Sequence, residues 1–356
     1  MAPLKLAIAG ANAERGWARD THIPALQALP GIELYAVSAR DQVIADMAAS
    51  TFGAAKAYGD TLAMVRDPAV DIVAVLVKVS EHRAIVLAAL EAGKHVYCEW
   101  PLARDLAEAQ ALAEAARRAG VHVAIGLQGT NSLAVRHAAR LVSEGAIGQP
   151  LNLRVVSSTA GWGTSAPPHY AYLQDRRNGA TLATIAGGHT LAAVEAVVGA
   201  YTSVSARNSI LQDKVEILGT GELVERTCAD HMLISGRHSS GCVSSVEILG
   251  GAPVPLRFEL RGTKGTLEIT GEHPGGYQCA ALTVQCLPEA ELQPSPAVAG
   301  LQGAAINVAQ MWSQFESDIR NGKRSVPDFD LAVRLTRLLD AIEVASDEGR
   351  SLAIAT

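Results

Sequence analysis

What most constrains this chain is the alternation, over its first 127 residues, of short uninterrupted apolar runs with segments of helical spacing. Leu4 to Ala9, Gly31 to Ser38, Val70 to Val77, His95 to Glu99 and Val121 to Leu127 have the length and apolarity of strands buried on both faces. Between them Ile23 to Leu29, Gln42 to Phe52, Thr61 to Val65, His82 to Ala92 and Ala107 to Ala119 carry helical periodicity. Strands of that kind joined by helices predict a doubly wound parallel sheet with right-handed crossovers, an α/β domain over residues 1–127.

Beyond Leu127 the texture changes. Leu151 to Ser158, Ala200 to Arg207, Glu216 to Leu218, His231 to Ile234, Gly241 to Gly250, Leu256 to Arg261 and Thr266 to Thr270 follow one another as strand-like runs, with turn signals at Gly250 to Pro255 and Gly262 to Gly265. They predict a second α/β domain over residues 128–356, built on a large open and mainly antiparallel sheet. Glu289 to Gly303 reads as an exposed loop, and Asn307 to Arg320 and Leu331 to Ser346 as helices. The last of these is free to pack back on the first domain.

Composition narrows the function. A formal net charge of −6, with no long run of Lys or Arg, argues against direct nucleic-acid binding. The five cysteines are scattered without a CxxC pair or a histidine at zinc-ligand spacing, so thiols in a reducing compartment are expected and a metal is not. The first residues lead straight into Leu4 to Gly10, too short for a signal-peptide core, and no apolar run reaches the roughly 18 residues of a membrane span. A cytoplasmic protein acting on a small molecule is the resulting expectation.

Gly10-Ala-Asn-Ala-Glu-Arg-Gly16 follows the first strand and precedes a helix. Such a loop can hold a pyrophosphate on backbone amides, although Asn12 and the added length depart from GxGxxG, and an ordinary strand-to-helix turn would look alike. The second strand ends in Val37-Ser38-Ala39-Arg40 rather than in the acidic residue that takes NAD ribose hydroxyls. A hydroxyl and a guanidinium suit a 2′-phosphate, favouring NADP over NAD, unless Arg40 is simply solvated.

Thr21 to Leu26, Asp71 to His82, Glu91 to Val96, Glu99 to Leu102, Val142 to Gly148, Gly187 to His189 and Ser346 to Ile354, in that order, resemble the Gfo/Idh/MocA family of oxidoreductases. The resemblance covers nearly the whole chain. It implies an N-terminal Rossmann domain, a C-terminal open sheet that commonly forms subunit interfaces, hence a homodimer or homotetramer, and chemistry on sugars or polyols. Within the family the chain looks most like the fungal galactose-pathway co-repressor, a dinucleotide-binding regulator, through Val77 to His82, Glu99-Trp100, Leu127 to Gly129, Gly161-Trp162, Tyr172-Leu173 and Gly188 to Thr190. The resemblance places the cofactor against Gly10, Asn12, Gly16, Trp17, Ser38, Arg40, Val77, Lys78, His82, Glu99, Trp100 and Gln128.

The departures question the chemistry. Where the family carries a lysine, an aspartate and a histidine for proton exchange, the matched positions here are Trp100, Ile185 and His189. An indole nitrogen only donates, so Trp100 can stack on a ligand or line a pocket but cannot act as a base. His189 is a candidate acid/base or a structural histidine. Lys78 and Tyr172 are candidate replacements, on the argument that a nearby ammonium would lower a phenol's pKa. Trp162, His169, Tyr170 and Asp175 complete the substrate candidates, with aromatic packing for Tyr170 and turn capping for Asp175 as the plainer alternatives. The function expected is NAD(P)-dependent hydride transfer on a sugar, cyclitol or similar molecule, the alternative being a dinucleotide sensor without turnover.

Overall fold

The computed structural model describes residues 2–252, 254–287, 298 and 300–354, and the chain within it divides into two compact units. The first comprises residues 1–128 and 295–333, the second 129–294 and 334–356.

In the first unit, six strands lie in the order β3-β2-β1-β4-β5-β6, every neighbouring pair parallel. They are β1 (Leu4–Ala9), β2 (Ile32–Ser38), β3 (Lys56–Tyr58), β4 (Ile72–Val75), β5 (His95–Glu99) and β6 (Val123–Gly126). All four residues of β4 and of β6 are buried, as expected for strands covered on both faces. The connecting helices are α1 (Ile23–Gln27), α2 (Gln42–Phe52), α3 (Thr61–Val65), α4 (Val79–Glu91) and α5 (Leu106–Ala119). Their ends follow local chemistry: the Asp41 carboxylate accepts from the Ile44 amide at the start of α2, Asp105 accepts from Glu108 at the start of α5, and Gly53 and Gly120 terminate those helices in the left-handed conformation.

The segment 295–333, placed by the sequence reading in the second domain, belongs with this unit. Helix α8 (Ala304–Asn321) buries Val308, Ala309, Met311, Trp312 and Phe315 completely in the same core as Leu6, Ile8, Ile72 and Tyr97. The stretch expected as a loop over 289–303 falls largely on 288–297 and 299, outside the described residues.

In the second unit the main sheet has eight strands in the order β16-β15-β14-β7-β13-β12-β9-β17. These are β7 (Pro150–Thr159), β9 (Tyr201–Ser209), β12 (His231–His238), β13 (Val243–Gly250), β14 (Leu256–Gly262), β15 (Thr266–Gly271), β16 (Thr283–Leu287) and β17 (Leu352–Ala353). Neighbours are antiparallel except β7 and β13, which run parallel. The strands alternate, Leu153, Val155, Ile234, Val246, Phe258 and Leu260 being buried while Arg154, Leu233, Ser245 and Arg257 are exposed, the pattern of a sheet with one covered face. A small second sheet, β11-β10-β8, joins β8 (Ser165–Ala166), β10 (Lys214–Ile217) and β11 (Glu222–Glu225). Helices α6 (Leu133–Ser143) and α7 (Gly188–Val198) pack together, and α9 (Phe329–Glu348) continues from the first unit into the second at Arg334. No disulfide joins the five cysteines, all buried. Among the described residues no helix is long and apolar enough to cross a membrane, and no cluster of His, Cys, Asp or Glu could hold a metal.

Candidate functional site

The C-terminal ends of the parallel strands bring together most of the residues expected to face a cofactor. After β1 the chain turns at Gly10, whose φ is +95°; a Cβ there would lie 2.7 Å from the Leu76 carbonyl oxygen and 2.9 Å from Val77 Cγ1. Glycine is therefore required by both conformation and space. The longer loop is organised by Asn12, whose Oδ1 accepts from the Glu14 and Arg15 amides at 2.8 and 3.2 Å. Gly16, at φ +104°, then leads through Trp17 into a wide π-helical turn, Ala18–His22. The Trp17 indole N–H is buried without a partner. The amides of Gly10 and Ala11 are engaged by the Ser38 carbonyl at 3.1 and 2.9 Å, so anion binding falls to the amides further along the loop.

Ser38 and Arg40 part company. The Ser38 side chain is fully buried and shares a 2.9 Å hydrogen bond with the Thr61 hydroxyl, which corrects its expected part in 2′-phosphate recognition: the hydroxyl is spent inside the domain. Arg40 is exposed on the turn before α2, its Nε 3.3 Å from the Asp41 carboxylate. Past β4, Val77 is half-buried and Lys78 stands exposed as the residue capping α4. His82, one turn on, is buried, its ring nitrogens 3.1 Å from the Val77 carbonyl and 3.3 Å from the Leu102 carbonyl. Burial depresses its pKa. A neutral ring has one N–H, which Nε2 donates to the closer Val77 carbonyl, while Nδ1 is left to accept from the Cys98 thiol at 3.4 Å; His82 thus ties the β4–α4 turn to β5 and shapes the site from behind.

Glu99 closes β5 and Trp100 follows it, 6% exposed. Glu99 is held by a device that sequence reasoning missed. Its Oε1 lies 2.9 Å from His22 Nε2, and His22 Nδ1 accepts from the Trp312 indole N–H at 3.0 Å. The only sequence signal was His22 within the quoted Thr21 to Leu26 motif; Trp312 lies 290 residues away. Gln128, just past β6, is fully buried, and neither atom of its amide has a partner.

The second unit carries the substrate candidates. Trp162 is the one non-glycine residue with a positive φ, +59°, among the described residues. Its indole N–H donates to the Leu173 carbonyl at 3.2 Å, so the donor serves the fold. His169 and Tyr170 are exposed on a 3₁₀ segment, Pro168–Gln174, with ring centroids 4.3 Å apart. Tyr172, half-buried on the same segment, has its phenol pKa raised by burial first and by Tyr170 second. That reverses the lowering expected from a neighbouring cation. Asp175 receives Arg177 through both carboxylate oxygens, at 3.0 and 2.7 Å, and accepts the Arg177 amide, which lowers its pKa. Its expected bond to a substrate hydroxyl gives way to this capping role.

Ile185 occupies another π-helical turn, Ala183–Gly187, that runs into α7 and His189. His189 is 4% exposed, its Nδ1 has no partner, and burial alone pushes its pKa down to about 3. The imidazole is neutral at any ordinary pH, and placing a proton on it costs about 5 kcal/mol more than on a solvated histidine. Deeper still, Arg226 is buried with Nη1 2.7 Å from Asp230, Nε 2.9 Å from Gln174 Oε1 and Nη2 2.5 Å from the Gly163 carbonyl. This ion pair fixes the segments that carry Trp162 and Gln174.

A space that a Cβ would fill at Gly10, and buried polar atoms at Trp17 and Gln128 with nothing to bond, fit a bound dinucleotide. Fold and site thus define a protein of the dinucleotide-binding, doubly wound class. Residues 4–127 match the oxidoreductase family with NAD-binding Rossmann fold, Gfo/Idh/MocA, and residues 134–271 match the Gal80p C-terminal domain. The first domain is thus of the Gfo/Idh/MocA kind and the second of the Gal80p kind.

Among curated relatives it is 29% identical over 296 residues to the galactose/lactose metabolism regulatory protein GAL80 of Saccharomyces cerevisiae, covering 76% of this chain and 67% of that one. It is 28% identical over 333 residues to dehydrogenase aclE of Aspergillus oryzae, covering 89% and 88%. Among solved structures, a super-repressor mutant of Gal80p from Saccharomyces cerevisiae superposes with a TM-score of 0.88 at 23% identity, covering 99% of this chain and 98% of that one. Levoglucosan dehydrogenase in complex with NADH and levoglucosan gives 0.83 at 21%, covering 99% and 100%.

Proposed function

We propose that the chain is an NAD(P)-dependent oxidoreductase moving hydride between the nicotinamide and a hydroxyl or carbonyl of a sugar, cyclitol or similar small molecule. The observation that carries the reading is the fully buried Gln128 just past β6, both of whose amide atoms lack a partner. That is a desolvation cost which a bound dinucleotide would offset. The near end-to-end match to a dehydrogenase of Aspergillus oryzae supports it. The cofactor would supply hydride transfer; the protein would supply the loop from Asn12 to Trp17 for the pyrophosphate, Glu99 and Gln128 for the nicotinamide half, and His189 Nδ1 as a hydrogen-bonding group for substrate.

Arg40, exposed at the end of the second strand, would choose NADP by pairing with the 2′-phosphate. Lys78, exposed at the start of α4, would serve the proton exchange that Trp100 and Ile185 cannot. Assembly as a homodimer or homotetramer, and a cytoplasmic location, belong to the same proposal and are checked by sedimentation and by fractionation of the source cell.

A second reading, dinucleotide-dependent regulation without turnover, is favoured by the residues at Trp100 and Ile185, neither of which can exchange a proton, and by the GAL80 relatives. The deciding test is fluorescence titration with NADH and NADPH, followed by a panel of sugars, cyclitols and carbonyl compounds with absorbance of the reduced nicotinamide as readout. Turnover supports the oxidoreductase. Tight binding without turnover across the panel removes it in favour of the regulator, and failure to bind either dinucleotide removes both.

A further inference from the structure

The end of β5 holds a buried hydrogen-bonded chain that joins one helix from each end of the sequence. Trp312 sits on α8, fully buried, with its ring stacked on Tyr97 at 4.4 Å between centroids. An indole nitrogen has a proton to give and no lone pair to accept one. The 3.0 Å contact to His22 Nδ1 therefore makes that nitrogen the acceptor, and the proton of the neutral imidazole must reside on Nε2. From there it is donated to Glu99 Oε1 at 2.9 Å. His22 is itself fully buried, its ring edge-on to Tyr97 at 5.3 Å, so the imidazole cannot turn over without breaking both contacts.

Space supports the same arrangement. Glu99 is paired in register with Gly126 on β6, and a Cβ at Gly126 would fall 2.6 Å from Glu99 Oε2 and 2.8 Å from Oε1. The neighbouring strand is thus bare where the carboxylate lies. A glutamate with one oxygen committed, at the C-terminal end of a parallel strand flanked on both sides, stands where doubly wound folds take their ligands.

We propose that Trp312 and His22 are positioning residues for the dinucleotide: by fixing one tautomer of His22 they hold Glu99 in the orientation that receives hydroxyls of the nicotinamide-side ribose. This rests on the dinucleotide reading above. It adds that the cofactor site is completed by α8, an element more than 170 residues beyond the last strand of the sheet. Because β4 to β6 form the half of the fold that takes the nicotinamide mononucleotide, the effect is confined to that half.

The test uses the full chain and two probes: whichever of NADH and NADPH the wild type binds more tightly, and the matching adenosine half, ADP or 2′-phospho-ADP. Trp312→Phe keeps an aromatic ring against Tyr97 and removes the N–H. His22→Asn cannot reach Glu99, whereas His22→Gln carries an amide N–H to about the position of Nε2. Dissociation constants for the reduced dinucleotide rise about tenfold in Trp312→Phe and His22→Asn, the scale of one lost bond to a charged group. His22→Gln recovers most of that loss, and the adenosine half binds all variants equally. Thermal unfolding of each variant identifies any that fail to fold; Glu99→Gln, which keeps the shape and removes the charge, then takes its place with the same expected selectivity.

Weakening of both probes in parallel overturns the proposal, since a merely structural role would do that. So does unchanged dinucleotide affinity in folded Trp312→Phe and His22→Asn. A wild-type chain that binds neither dinucleotide overturns instead the reading on which the proposal rests.

Discussion

His189→Asn tests whether the second unit holds its histidine as a buried neutral ring. In the native chain burial takes the pKa from 6.5 to about 3, with no partner at Nδ1 to oppose it. The unfolded chain therefore binds a proton that the folded chain refuses wherever the pH lies between those values. The contribution to stability is fully present above about pH 6.5 and is lost as pH falls towards 3. Between pH 8 and pH 5 the unfolded imidazole gains about 1.5 units of protonation free energy, or ~2 kcal/mol, and the native one almost none. Asparagine does not titrate. The stability difference between wild type and variant should therefore shift by ~2 kcal/mol in the variant's favour from pH 8 to pH 5, read from urea unfolding followed by intrinsic fluorescence. His82 and His95, whose pKa values burial also lowers, add the same slope to both proteins and cancel in the comparison. Parallel loss of stability in the two proteins would refute the reasoning, because a histidine that titrates alike in both states is not held neutral by burial.

Three further substitutions probe other parts of the site. Gly10→Ala forces a Cβ to within 2.7 Å of the Leu76 carbonyl oxygen at a φ of +95°; it should cost roughly 1–3 kcal/mol of stability and abolish dinucleotide binding, as thermal unfolding and fluorescence titration would report. Asp230→Ala leaves the Arg226 guanidinium buried without its counter-charge and strips the Leu211 and Gln212 amides of their acceptor, so a loss of about 3–5 kcal/mol is expected in urea unfolding. Arg40→Ala should lower the ratio of NADPH to NADH affinity with little effect on stability; an unchanged ratio would remove the guanidinium from 2′-phosphate recognition.

The strands of the first unit were legible because each is buried on both faces and so reads as an unbroken apolar run, as Ile72–Val75 shows. Helix α8 was legible as a helix but not in its place. An amphipathic pattern announces that one face is buried without saying against which sheet, and Trp312 meets His22 across 290 residues of chain. The same distance hid the relay, although His22 lay inside a motif that drew notice. Local chemistry fared better: Asp175 capping Arg177 two residues on is a short-range event that spacing contains. Ser38 was misjudged because the end of a strand marks where a side chain is, and alternation across the sheet decides whether it faces inward, here to Thr61.

The two functional readings divide over one proton. Oxidation of a carbinol delivers hydride to the nicotinamide and must also send the hydroxyl proton to a base. Trp100 has no lone pair to take it, Ile185 has no polar atom, and the raised phenol pKa of Tyr172 keeps its own proton in place. His189 can take it only at a cost of about 5 kcal/mol relative to a solvated imidazole, a factor of several thousand in rate if nothing in the bound complex offsets it. Hydride transfer in this chain would need another base, for which Lys78 is the proposed candidate; Lys78→Met should then abolish turnover, as absorbance of the reduced nicotinamide would report. Full turnover in Lys78→Met would exclude that route, and a chain that binds dinucleotide with no turnover on any substrate would have kept the grip of a dehydrogenase and lost its base.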